Sequence, residues 1–130
     1  MNPFLRKFFD QQLDQVFPQL PPLVHKLLDK VPLVVEDYPS EEVMRKIGVR
    51  HRQHLCGLYT GIPITKRSIE HSGILSDVIH IYREGILSLA QDGQGDIDEK
   101  ELRKQIRITI LHELGHHHGL GESELEELGY

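Results

Sequence analysis

Residues 112–122 read His112-Glu113-Leu114-Gly115-His116-His117-His118-Gly119-Leu120-Gly121-Glu122, and four of the chain's nine histidines fall between positions 112 and 118. In a helix, side chains four apart share a face, so the imidazoles of His112 and His116 can both reach one ion. Glu113 lies about 100° further round the helix and flanks that ion. A carboxylate there is placed to take a proton from a water that zinc activates, since zinc lowers the pKa of a bound water to about 7. A catalytic zinc site has three protein ligands and one open position. Gly119 can end the helix with a positive φ and let the chain turn back, which brings Glu122 within reach. His118 and Glu126 compete for the same role. His117 and His118 are expected to serve packing or hydrogen bonds behind the ligands.

Chance matches to His-Glu-x-x-His in a chain of this composition number about 0.06. Requiring Gly at 119 and an acid or His at 122 lowers this to about 0.001, which sets the extended pattern apart from coincidence.

Outward from this stretch, Leu102, Ile106, Ile110 and Leu114 recur every fourth residue and predict a helix over 99–118 with one buried stripe. Asp98 followed by Glu101 predicts its N-cap pair. The loop 91–98 carries Asp92, Asp96 and Asp98 at alternating spacing, yet a calcium loop would need Gly and Glu where Ile97 and Arg103 stand. Residues 77–83 alternate and predict a strand, as do 33–37 and 55–60, the last closed by a turn at Gly61-Ile62-Pro63. Ser40 predicts the cap of a helix ending at Ile47, with Gly48 as its stop. Phe4, Leu5, Phe8, Phe9, Leu13, Val16 and Phe17 predict an amphipathic helix over 3–17, a core element or a partner surface. Pro18, Pro21 and Pro22 interrupt it before a short second helix over 23–28. The basic cluster Arg45, Lys46, Arg50, His51 and Arg52 reads as a solvated face.

The chain has 130 residues, with 38% hydrophobic and 27% charged, the range of one globular domain spanning 1–130. Its net charge of −5 disfavours nucleic acid and anionic membranes as partners. The single cysteine, Cys56, reads as a small buried apolar residue, and with no signal-like or membrane-spanning run a cytoplasmic location is expected.

The motif, together with 33–40, 57–68, 77–87 and the ending LEELGY, resembles the minimal zincins, small bacterial proteins regarded as zinc metallopeptidases. The likeness covers roughly 30–130. It implies an α+β fold, with a compact zincin-like core in which a small mixed sheet packs on the active-site helix. It implies one zinc ion held by His112, His116 and position 122, with Glu113 as catalytic base. The family pattern has Asp at the third ligand position, where this chain has the longer Glu122. Metzincins carry a methionine turn after the motif, and here the only methionines are Met1 and Met44.

The expected function is zinc-dependent hydrolysis of a peptide bond in a peptide or protein substrate. Tyr59, Tyr82 and Tyr130 are candidates to stabilise the oxyanion, and the 78–83 strand could accept the peptide as an added strand if it lies at a sheet edge. The rival expectation is a zinc-binding regulatory or interaction protein, docking a partner through its N-terminal helix.

Overall fold

The computed structural model describes residues 1–61, 77–127 and 129–130. Along the chain these form α1 (Pro3–Val16), α2 (Pro22–Lys30), β1 (Leu33–Glu36), α3 (Glu41–Ile47), β2 (Gly57–Thr60), β3 (Val78–Tyr82), α4 (Arg83–Leu89), α5 (Glu99–His117) and α6 (Glu122–Glu127), with 3-10 turns at Phe17–Gln19 and Arg52–His54. The architecture is α+β, six helices and a three-stranded mixed sheet among the described residues.

The strand order is β1-β3-β2, with β1 parallel and β2 antiparallel to β3. The β3 strand is therefore central. Its main-chain groups are taken up on both sides, so the expectation that a peptide could add to residues 78–83 fails. The edge next to α5 belongs to β2. Alternation is a signal of half-burial and does not separate a central strand from an edge. The 77–83 run also ends sooner than expected, because Arg83 opens α4.

Most helix boundaries follow the local signals. The Asn2 side chain accepts a 2.7 Å hydrogen bond from the Phe4 amide at the start of α1. Ser40 caps α3, and Gly48 ends it in the left-handed region. Pro22 begins α2, at the first helical position that tolerates proline. At α5 the Asp98 carboxylate accepts from the Glu101 amide at 3.0 Å. The reciprocal half of that cap does not form, since the Asp98 amide donates to the Ala90 carbonyl and Glu101 accepts from Gln105. In the preceding loop the Asp92 carboxylate is taken by the amides of Gln94 and Asp96, a local turn device. The Ile62-Pro63 turn lies outside the described residues. Leu55 and Cys56 precede β2.

One cluster joins the ends of the chain. Leu102, Ile106, Ile110 and Leu114 of α5 are buried against Phe9 and Val16 of α1, Ile79 and Ile81 of β3, and Ile86 of α4. Truncating any one of these isoleucines or leucines to Ala would cost about 2–5 kcal/mol. The aromatic stripe of α1 is split: Phe9 is fully buried while Phe4 is 84% exposed. Polar contacts pin α1 from the side, with Arg83 donating to Asp10 and Asp37, Arg6 donating to Asp37, and Arg103 donating to Gln12. The basic cluster is exposed throughout, and within it Arg52 pairs with Glu84 and lies over the Tyr38 ring.

Candidate metal centre

The α5 helix ends beside β2 and brings its motif to the floor of an open cleft of about 770 Å³. Gly57 makes this approach feasible. A Cβ at that position would meet Thr109 Cγ2 at 2.8 Å and Glu113 Cγ at 3.1 Å. The bare strand lets the helix sit close enough for Glu113 to reach the β2 main chain.

Past His117 the chain reverses at Gly119, whose φ of 83° is readily adopted by glycine. The reversal returns Glu122 to the histidines as the first residue of α6. Three side-chain atoms then converge. His112 Nε2 and His116 Nε2 are 3.2 Å apart, and Glu122 Oε1 lies 3.3 Å from the first and 2.9 Å from the second. Zinc–ligand bonds of 2.0–2.1 Å in a tetrahedron put neighbouring ligand atoms about 3.3 Å apart. The triangle has the edge lengths of three corners of such a tetrahedron. Among the described residues, these three are the group able to hold a metal ion. His118, at the end of α5, and Glu126, on α6, are not part of it.

The protonation pattern suits an ion as well. His116 Nδ1 lies 2.9 Å from the Leu120 carbonyl oxygen, which can only accept, so Nδ1 carries the hydrogen. In the neutral ring that leaves the lone pair on Nε2, the atom facing the triangle. Two imidazole nitrogens with one carboxylate are the donor chemistry of a zinc site.

Glu113 lies beside the triangle and outside it, one carboxylate oxygen being 4.0 Å from His112 Nε2. It is 6% exposed. Burial raises its pKa above the ordinary carboxylate range. His112 and His116 oppose that rise, Glu122 adds to it, and a hydrogen bond from the Tyr59 main-chain amide opposes it. This amide was not foreseeable from side-chain patterns. Nor was the Leu120 carbonyl, since main-chain groups leave no residue signature.

His117 turns the other way and meets Asp77 through Nδ1 at 2.6 Å, an almost fully buried pair that ties α5 to the residue preceding β3. The Tyr59 ring packs edge-on to the His117 ring at 5.7 Å. Of the three tyrosines expected near the reacting carbonyl, Tyr59 and Tyr130 line the cleft, whereas Tyr82 is buried and does not. Burial, with a smaller contribution from Glu36, pushes the Tyr82 hydroxyl up to about 12. Cys56 also lines the cleft, and burial together with the Glu113 charge pushes its thiol up to about 11.

The outer edge of β2 borders the site. The Tyr82 amide donates to the Cys56 carbonyl at 2.7 Å, so Cys56 and Leu58 point their main-chain groups toward β3. By the alternation of an antiparallel ladder, Gly57 and Tyr59 point theirs outward.

Residues 28–130 match a family model described as a zincin-like metallopeptidase. A comparison with curated proteins found no match.

Proposed function

The chain belongs to the zincin-like metallopeptidase family, and we propose on that basis that it is a zinc-dependent peptidase with Glu113 as its general base. The observation that carries the proposal is the His112–His116–Glu122 triangle with a buried carboxylate next to it but not in it. A structural zinc site uses four protein ligands; three ligands and a neighbouring base suit hydrolysis.

In this reading His112 Nε2, His116 Nε2 and a Glu122 carboxylate oxygen hold the zinc. Zinc bound there supplies Lewis acidity, polarising a peptide carbonyl and making water nucleophilic near neutral pH. Glu113 takes a proton from the attacking water as its oxygen bonds to the carbonyl carbon. The same carboxyl then delivers that proton to the departing amine nitrogen as the C–N bond breaks, leaving an amine and a carboxylic acid whose remaining proton is lost to solvent. The Tyr59 amide keeps Glu113 aimed into the cleft. The outward main-chain groups of Gly57 and the outward Tyr59 carbonyl remain to pair with an extended substrate, which puts the added strand on β2 in this reading. Tyr130 is the remaining candidate to stabilise the oxyanion, because the Tyr59 hydroxyl is buried and its ring packs on His117.

The test is cleavage of a broad peptide library by the zinc-loaded chain, read by mass spectrometry, with chelation and zinc readdition. Cleavage that disappears on chelation and returns with zinc supports the proposal. Cleavage indifferent to chelation contradicts it. No helix of the described residues is long and apolar enough to cross a membrane.

A further inference from the structure

The cleft has two unlike halves. Around the histidines it is polar. Beyond His112 its lining includes Ile47 at the end of α3, Leu55, Leu89 at the end of α4 and Ile108 of α5, with His54 and Gln105 as the polar side chains among them. Two of these are large apolar side chains left open to solvent, Ile47 at 42% and Leu89 at 53% exposure. Ile108 precedes His112 by four residues on α5, which sets it about 6 Å along the helix from the first histidine. Same-face side chains of an extended peptide repeat every 6–7 Å or so. A peptide lying along β2 with its carbonyl at the histidines therefore brings a neighbouring side chain to this apolar wall.

The charges point the same way. No lysine or arginine lines the cleft among the described residues, while Glu113 and Glu122 do. An acidic side chain entering this half would lose water and, among the described residues, meet no lysine or arginine there, His54 being the one basic side chain on that wall.

We infer, building on the peptidase reading, that this site selects extended peptides carrying a large apolar side chain within two residues of the reacting carbonyl, and rejects acidic ones at that position. Ile47, Leu89 and Ile108 are its specificity-determining residues. Removing a leucine-sized side chain from water favours binding by 10-fold or more as an order of magnitude.

The probes are end-blocked fluorescein-labelled octapeptides of Gly, Ala and Ser, with one position varied among Leu, Phe and Asp and scanned along the chain. Binding to the zinc-loaded Glu113→Gln protein is followed by fluorescence anisotropy, which needs no turnover. At one position the Leu and Phe peptides should bind about 10-fold or more tighter than the Asp peptide. Leu89→Lys and Ile47→Lys change exposed residues and should each narrow that ratio at least several-fold. Equal affinities, no binding by any peptide, or an unchanged ratio in both lysine variants would overturn the inference. Selective binding without cleavage by the unmutated chain would leave the inference standing and remove the peptidase reading. Unselective binding with efficient cleavage would do the reverse.

Discussion

His116 Nδ1 lies 2.9 Å from the main-chain oxygen of Leu120, so the chain that leaves the α5 helix returns to hold one of the helix's own histidines. The hydrogen bond assigns the tautomer, and the Gly119 turn supplies the carbonyl. At the proposed centre this would couple metal affinity to a backbone conformation three to four residues past His116.

Gly119→Ala tests that coupling. Alanine at a φ of 83° costs about 1–2 kcal/mol, and relaxation of the turn would move the Leu120 carbonyl away from the ring. Zinc affinity, measured by competition with a chromophoric chelator, is expected to fall by about 10-fold. An unchanged affinity would mean that the turn does not orient His116.

Glu122→Ala is expected to weaken zinc by about 10-fold or more, and Glu126→Ala to leave it unchanged. The two residues sit on the same short helix, but only Glu122 approaches the histidines, at 2.9 and 3.3 Å. The opposite pattern would move the third ligand to Glu126.

The core and the metal motif are the most legible features of the sequence. Every fourth residue from Leu102 to Leu114 is apolar and all four are buried, because a long helix with one stripe has one way to dock. The i, i+4 histidines converge because helix geometry alone puts them together, and the glycine after the helix announced the turn. What stayed hidden depends on tertiary pairing. The central place of β3 follows from a parallel pairing with β1, 45 or so residues earlier, which no local pattern encodes. The contacts of Glu113 and His116 with main-chain groups are equally silent. Gly57 did leave a signal, since a glycine in a strand marks close approach by another element, but it does not say which element approaches.

Cys56 should behave as an unreactive thiol. Burial and the Glu113 charge push its pKa up to about 11. Against an unperturbed thiol near 8.5, that leaves on the order of 100-fold less thiolate at pH 8. Alkylation by iodoacetamide should be slower by about that factor in the native chain than in urea. Comparable rates would show that the thiol is accessible and unperturbed.

Asp37 links α1 to α4 by accepting from Arg6 at 2.6 Å and from Arg83 at 2.9 Å. The Arg6 hydrogen bond, with those charges, holds its pKa below the ordinary carboxylate range. A carboxyl group with a depressed folded-state pKa contributes stability above its unfolded value, near 3.9, and loses it as pH falls through the folded value. Asp37→Asn should cost about 1 kcal/mol at pH 7, and the difference from the unmutated chain should shrink below pH 4. Urea denaturation at several pH values checks this. A pH-independent difference would assign the effect to packing.

Glu113→Gln separates a catalytic centre from one that only holds a metal. Glutamine keeps the size of the side chain and removes its basicity, while His112, His116 and Glu122 remain to hold the metal. The measurement pairs zinc content after desalting with turnover of a peptide that the unmutated chain cleaves. About one zinc per chain is expected in both proteins, with turnover lowered by about 100-fold or more in the variant. Equal turnover would contradict Glu113 as the base, and loss of zinc from Glu113→Gln would make it a structural member of the centre.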